Sequence, residues 1–184
     1  MINYIGLAAG MGCGKSTAIE LLKEEYGSLV KLVKFAGILY EIQDFIYDKI
    51  SPVYSKPKDF IKDRKLLQML GTDWGRGIDD SLWVKLWKAE AEKEVAHGGR
   101  STIVISDDTR FDNEAEMIKS MGGVIVQITS ERAGQRIDTS AGIKNHASEA
   151  GISKNLIDYT IRNDHTIESF RLELRNLFEK ILSS

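Results

Sequence analysis

The chain has 184 residues, of which 42% are hydrophobic and 28% charged, a balance that suits one globular domain with a sizeable core. Lys and Arg number 25 against 27 Asp and Glu, so no basic surface for a nucleic-acid polymer is indicated. The single cysteine excludes an intramolecular disulfide and favours a reducing, cytoplasmic compartment. The uncharged stretch at residues 1–14 contains four glycines and is too short to cross a bilayer, so we expect no membrane association.

Apolar periodicity predicts strands and helices that alternate along the chain. A loop at 51–58 carries the only two prolines, and polar residues at 129–151 predict a mobile segment with one helical turn. The strands are expected at Tyr4–Ala9, 29–36, 102–105, 124–128 and 159–161. The helices are expected at 15–26, 38–50, 60–70, 81–96, 113–121 and 167–181.

Two of these helices carry finer expectations. The helix from about Phe60 is expected to stop at Gly71, and Ser81 is expected to cap the helix that follows. The helix at 38–50 is expected to bury one apolar face, made of Ile38, Ile42, Phe45, Ile46 and Ile50.

Strands that are apolar throughout and separated by helices indicate a parallel sheet of about five strands with helices on both faces, a three-layer α/β fold. Ligands bind such sheets at the carboxyl ends of the strands. We therefore expect one crevice, formed by the loops after Ala9, Ala36, Ile105 and Ile128.

The strongest motif lies between the first strand and the first helix. Its glycines allow backbone N–H groups to surround an anion, and the helix that follows directs its positive end there. Lys15 is expected to reach the β- and γ-phosphates of ATP, and the Ser16 hydroxyl to ligate Mg²⁺. The motif predicts a P-loop NTPase fold with an ATP site made of Gly10, Met11, Gly12, Cys13, Gly14, Lys15, Ser16 and Thr17.

Within this motif, Ala9 stands where the strict pattern has glycine, a mild departure at the strand end. A glycine-rich turn with an incidental lysine is the alternative reading of the whole motif. Cys13 is interpreted as a small residue that fits the loop, with a reactive thiol near phosphate as the alternative.

Two adjacent carboxylates, Asp107 and Asp108, follow the strand at 102–105, where a P-loop enzyme places its acidic metal or substrate contact. Either one could hold Mg²⁺ through water, and alternate side chains of an extended segment point in opposite directions. The residues alone leave the choice open, and a solvated acidic turn is the alternative.

Transfer of a phosphoryl group between two nucleotides requires several cations, and arginine holds phosphate oxygens bidentately. Arg76 lies in a glycine-flanked turn and Arg110 beside the carboxylates, so these two are favoured. A solvated surface charge is the alternative for each arginine. The full set of candidates is Arg64, Arg76, Arg110, Arg132 and Arg136.

The three tryptophans divide between two roles. Trp83 and Trp87 are four residues apart on a predicted helix, which favours core packing. Trp74 lies in a turn, where its ring could stack on a base or simply be exposed.

Several segments together resemble the bacteriophage-type deoxynucleoside monophosphate kinases, a branch of the P-loop nucleoside monophosphate kinases. The resemblance covers most of the chain, and its Asp-Thr-Arg turn is also similar to animal phosphomevalonate kinase. It favours Asp108 over Asp107, and the additional Asp107 is a departure from the family pattern. The segments that carry it are 66–76, 82–84, 108–115 and 146–149, in this order behind the phosphate loop.

The resemblance implies transfer of the γ-phosphoryl of ATP to a deoxynucleoside 5′-monophosphate, with residues 37–97 as the substrate-binding helical region and about 131–150 as a lid. Catalysis would fall to Lys15, Asp108, Arg110, Arg132 and Arg136. The acceptor would be bound by Arg64, Gln68, Trp74, Arg76, Arg110, His146, Ser148 and Glu149. For His146, a helix start with Glu149 as its capping partner is the alternative.

Two other functions stay open at this point. A related kinase could use the same site on a phosphomevalonate- or dephospho-coenzyme A-type acceptor. A nucleotide switch that binds without transferring phosphate is disfavoured, because the chain lacks an Asn-Lys-x-Asp guanine signature and carries more arginines around the crevice than one nucleotide requires. The accepted bases, the preference for deoxyribose and the choice between monomer and homodimer are not determined.

Overall fold

The computed structural model describes residues 2–55, 60, 62–132 and 151–183. Its centre is a parallel five-stranded sheet with the strand order β2-β3-β1-β4-β5, as expected for the P-loop fold. The strands are β1 (Tyr4–Ala9), β2 (Val30–Leu32), β3 (Ile103–Ser106), β4 (Val124–Thr129) and β5 (Tyr159–Arg162). The helices are α1 (Lys15–Tyr26), α2 (Gly37–Ile50), α3 (Arg64–Gln68), α4 (Gly75–Ile78), α5 (Leu82–Gly98), α6 (Asp112–Ser120) and α7 (Ile167–Leu182).

The sheet separates two apolar clusters because successive residues of a strand point to opposite faces. On β1, Ile5 and Leu7 belong to the cluster covered by α1 and α7, whereas Ala8 belongs to the cluster covered by α5 and α6. β1 pairs with β3 on one side and β4 on the other, so the loop after Ala9 leaves from the middle of the sheet. In the described ranges, no helix is long and apolar enough to cross a bilayer.

The second strand is shorter than predicted: β2 ends at Leu32, although Val33 and Phe35 are buried as expected of a strand. Beyond Val33, which still donates to the Ile105 carbonyl at 2.9 Å, the backbone turns away from β3. The amides of Phe35 and Ala36 bond the Asp108 carboxylate instead of a neighbouring strand. The Asp108 side chain therefore accepts the hydrogen bonds that a neighbouring strand would accept if β2 continued.

The prediction of which face of α2 is buried is wrong. The buried residues are Leu39, Gln43 and Tyr47, while Phe45 is 62% exposed. Gln43 and Tyr47 face inward because both bond Asp63, which lies just before α3. A count of apolar residues misses this face, since two of its three members are buried through polar contacts.

The helix predicted to stop at Gly71 continues: a π-helical turn, Met69–Trp74, joins α3 to α4. The Trp83 indole donates to the Gly71 carbonyl at 2.7 Å and occupies the space beside Gly75, where a Cβ would lie 2.2 Å from the ring. Ser81 occupies the position before α5, but its side chain makes no capping bond. Glycine therefore permits close packing here and does not end the helix.

Candidate active site

The loop between β1 and α1 has the form of an anion cradle. Gly12 and Gly14 have φ values of 77° and 99°, which side-chain-bearing residues rarely adopt. No side chain of the described residues caps the start of α1, so its first N–H groups are available to a ligand. The Asn163 amide, at the end of β5, donates to the Cys13 carbonyl at 3.0 Å and braces the loop from behind.

The predicted phosphate ligands Lys15 and Ser16 lie at the start of α1. The Lys15 ammonium donates to the Ala9 carbonyl at 2.6 Å and so lies folded over the loop. Burial lowers the pKa of Lys15, and the nearby Arg110 lowers it further, while Asp107 and Asp108 oppose this shift. Ser16 is exposed, and Cys13 is buried, consistent with its role as a small residue that fits.

Both carboxylate oxygens of Asp108 accept hydrogen bonds from within the protein. One carboxylate oxygen accepts from the Phe35 amide and the Ser106 hydroxyl, and the other accepts from the Ala36 amide, each at 2.9 Å. Burial raises the pKa of Asp108 despite these donors. Its contacts therefore fasten the β2–α2 connection to the end of β3.

Asp107, in contrast, has one carboxylate oxygen that is not used in a hydrogen bond within the described chain. One oxygen pairs with the Lys34 ammonium at 3.3 Å, while the other is buried without a hydrogen-bond partner in the described chain. The charges of Asp107 and Asp108 both favour the charged form of Lys15. Of the two carboxylates, Asp107 is the one with free ligand capacity.

Arg110 links the phosphate loop to a second group of cations. Its guanidinium makes no ion pair with the part of the chain that the structure describes, and its charge acts on both Lys15 and Lys62. Burial lowers the pKa of Lys62, and Arg64, Arg110 and Lys34 lower it further. These cations form a patch that suits a second phosphate.

The residues before α3 are held firmly by α2. The Asp63 amide donates to the Gln43 side chain at 2.7 Å, and its carboxylate accepts from the Tyr47 hydroxyl at 2.8 Å and from the Leu66 amide at 3.0 Å. Lys62 and Arg64 flank this anchor. Sequence reasoning missed Gln43, Lys34 and Lys62 because they belong to no motif.

Arg76 is engaged on several sides. Its guanidinium carbon lies 4.1 Å above the centre of the Phe111 ring, and its nitrogens pair with Asp80 at 3.3 Å and with Glu114 at 3.8 Å. Glu114 is 5% exposed, and burial raises its pKa to about 7. Glu114 thus contacts Arg76 through an ion pair and the residue before Phe111, Arg110, through its backbone amide.

The tryptophans take the two predicted kinds of position. Trp83 and Trp87 are buried, and the Trp87 indole donates to the Val33 carbonyl at 2.9 Å while stacking on Phe35. Trp74 is 51% exposed in the π-helical turn, and Gln68 is exposed just before it. Trp74 therefore has a ring face available for contact.

The family model of deoxynucleotide monophosphate kinases matches residues 15–174. The chain belongs to this family. A curated protein of Acanthamoeba polyphaga mimivirus named for the same kinase activity is 31% identical over 186 residues, covering 90% of this chain and 91% of its own length. The deoxynucleotide monophosphate kinase of Enterobacteria phage T4 is 30% identical over 131 residues, covering 71% of this chain and 51% of its own length.

Two solved structures, one of them a kinase, share the fold of this deoxynucleotide monophosphate kinase family member. Dephospho-CoA kinase from Campylobacter jejuni has a TM-score of 0.53 at 20% identity, covering 98% of both chains. TT1252 from Thermus thermophilus has a TM-score of 0.54 at 13% identity, again covering 98% of both chains. At these identities the likeness establishes the fold alone.

The far side of the crevice is described in part. Arg132 donates to the His165 carbonyl at 3.3 Å, and Asp164 accepts from the Glu131 amide at 2.7 Å, so the loop after β5 bonds the first two residues of the predicted lid. Among the described residues, no three His, Cys, Asp or Glu side chains are grouped as a metal site. The predicted site residues that lie outside the described ranges are Arg136, His146, Ser148 and Glu149.

Proposed function

We propose that the chain transfers the γ-phosphoryl group of ATP to a deoxynucleoside 5′-monophosphate, with Mg²⁺, to give the diphosphate. The observation that carries this proposal is the position of Arg110. Its charge acts both on Lys15 at the ATP cradle and on Lys62 in the second cation patch. Two phosphate sites joined by one arginine suit a donor and an acceptor that exchange a phosphoryl group.

The donor would occupy the loop at 10–17, with its phosphates on the open N–H groups of α1. A bound phosphate would favour the charged form of Lys15, whose pKa burial and Arg110 lower. Because the acceptor oxygen is already anionic, this transfer requires no general base. The side chains align the two phosphates and offset their charge.

The residues present fit a hydrated Mg²⁺ ion. Asp107 offers a buried carboxylate oxygen without a hydrogen-bond partner, and Ser16 offers an exposed hydroxyl, both oxygen ligands of the kind that Mg²⁺ binds. When bound, the ion would neutralise phosphate charge. We assign it to Ser16 and, through water, to Asp107, since both oxygens of Asp108 bond backbone amides.

The acceptor would lie against the helical region at 37–97, its phosphate on Arg110, Lys62, Arg64 and Arg76. Trp74, beside Gln68, would stack on the base with its exposed face. Family resemblance supports further contacts, with about 131–150 as a lid that excludes water. These further residues are Arg132, Arg136, His146, Ser148 and Glu149.

The single cysteine and the net charge bear on the cellular compartment and on the kind of partner. A single cysteine, buried in the phosphate loop, supports a cytoplasmic location. The net charge of −2 supports a nucleotide, not a nucleic-acid polymer, as the partner.

ADP release from ATP and Mg²⁺, with each deoxy- and ribonucleoside monophosphate offered in turn, tests the proposal. We expect turnover that requires a deoxynucleotide and is lost in Lys15→Ala. Lys23→Ala, an exposed lysine on the same helix, is the matched control and should keep full activity. A chain that binds ATP but turns over with no nucleotide contradicts the proposal and directs attention to phosphomevalonate- and dephospho-coenzyme A-type acceptors.

A further inference from the structure

Glu114 makes contacts that the roles given above do not require. It lies in the first turn of α6 and is buried. One carboxylate oxygen accepts from the Arg110 amide at 2.7 Å and from the Phe111 amide at 3.1 Å. The other oxygen faces the Arg76 guanidinium at 3.8 Å.

These contacts connect two arginines that are far apart in the sequence. Glu114 fixes the backbone from which the Arg110 side chain leaves, and it pairs directly with Arg76. The ring of Phe111, whose amide Glu114 also holds, supports the Arg76 guanidinium from below at 4.1 Å. Glu114 therefore contacts both the Arg76 guanidinium and the backbone of Arg110, while Asp80 pairs with Arg76 from another side at 3.3 Å.

A carboxylate at this place is costly to the fold. Burial raises its pKa to about 7, so the ionised form is disfavoured by its surroundings. A neutral side chain that caps α6 would avoid this cost, because a helix start needs only an acceptor for its amides. Of the contacts that Glu114 makes, the one that a negative charge favours is the ion pair with Arg76.

We propose that Glu114 is a positioning residue for the acceptor phosphate, holding Arg76 through an ion pair and Arg110 through its amide. This inference rests on the proposed kinase function. Glu114 itself touches neither substrate; it acts through the two arginines.

Substitution separates the two contacts. Glu114→Gln keeps an oxygen for the two amides but presents an amide N–H to Arg76, so it breaks the ion pair alone. Glu114→Ala removes both contacts. Glu116→Gln, an exposed glutamate on the same helix, is the matched control.

The experiment measures kcat and the KM values for ATP and for the deoxynucleotide in these variants and in Arg76→Ala. At about pH 8, where Glu114 is mostly ionised, we expect Glu114→Gln and Arg76→Ala each to raise the acceptor KM about tenfold, with the KM for ATP within about twofold of the wild type. Adding Glu114→Gln to Arg76→Ala should change the acceptor KM no further, because both act on one contact. Multiplied effects, or equal rises in both KM values, overturn the proposal.

A second readout does not depend on activity. In the wild type, the Arg110 and Phe111 amide resonances should shift together through about pH 7, as the carboxyl group they bond titrates. The charged groups that face Glu114 are Arg76 and Asp108. In Glu114→Gln these shifts should vanish; amides that titrate unchanged overturn the proposal even if Glu114→Ala does not fold. A wild type without nucleotide turnover rejects the kinase function, while this titration still decides whether Glu114 holds the turn.

Discussion

Glu114 should make the stability of the fold depend on pH in a direction opposite to that of most carboxylates. Burial raises its pKa from the ordinary 4.5 to about 7. Between these values the folded chain keeps a proton that the unfolded chain releases. The free energy of unfolding therefore falls as the pH rises through this window and levels off above it. At about 1.4 kcal/mol per pKa unit, the loss is roughly 3 kcal/mol.

Glu114→Gln should remove this dependence, because glutamine stays neutral and still offers an oxygen to the Arg110 and Phe111 amides. The assay is urea unfolding followed by tryptophan fluorescence, at several values between about pH 5 and pH 8. We expect the free energy of unfolding of the wild type, relative to the variant, to fall by roughly 3 kcal/mol across this range.

Glu116→Gln, exposed on the same helix, provides the comparison and should show a difference from the wild type that is the same at every pH. The reasoning is refuted if the difference between the wild type and Glu114→Gln is likewise constant within about 0.5 kcal/mol. Such a result would mean that Glu114 does not titrate in this window.

Three further substitutions test the separate roles assigned to Asp108, Asp107 and Asn163. Asp108→Asn leaves a buried amide facing a donor and should cost about 1–3 kcal/mol in urea unfolding. Asp107→Asn should keep the unfolding free energy within about 1 kcal/mol but raise the Mg²⁺ concentration needed for half-maximal activity; unchanged Mg²⁺ dependence would exclude it as the metal contact. Asn163→Ala removes the brace on the Cys13 carbonyl, so the KM for ATP should rise severalfold with the acceptor KM unchanged, and a rise in the acceptor KM alone would contradict this role.

The sequence by itself determined the parallel sheet and predicted the donor site. Uninterrupted apolar strands predicted the parallel order of the fold, because a strand buried on both faces has no polar alternation. The phosphate loop was equally readable, since its chemistry resides in contiguous residues at 10–17 whose backbone does the binding. The family motifs added the kind of acceptor, and the family match confirms the kinase assignment.

Only the tertiary structure decided which polar residues are available to bind a ligand and which make structural hydrogen bonds within the fold. Asp108 bonds the amide of Phe35, 73 residues away, and Gln43 bonds Asp63, 20 residues away. No local pattern records such partners, because a buried polar side chain is stabilised by whatever donor the fold brings to it. Two adjacent carboxylates are equivalent in the sequence; in the fold, one is saturated with donors and the other keeps a free oxygen.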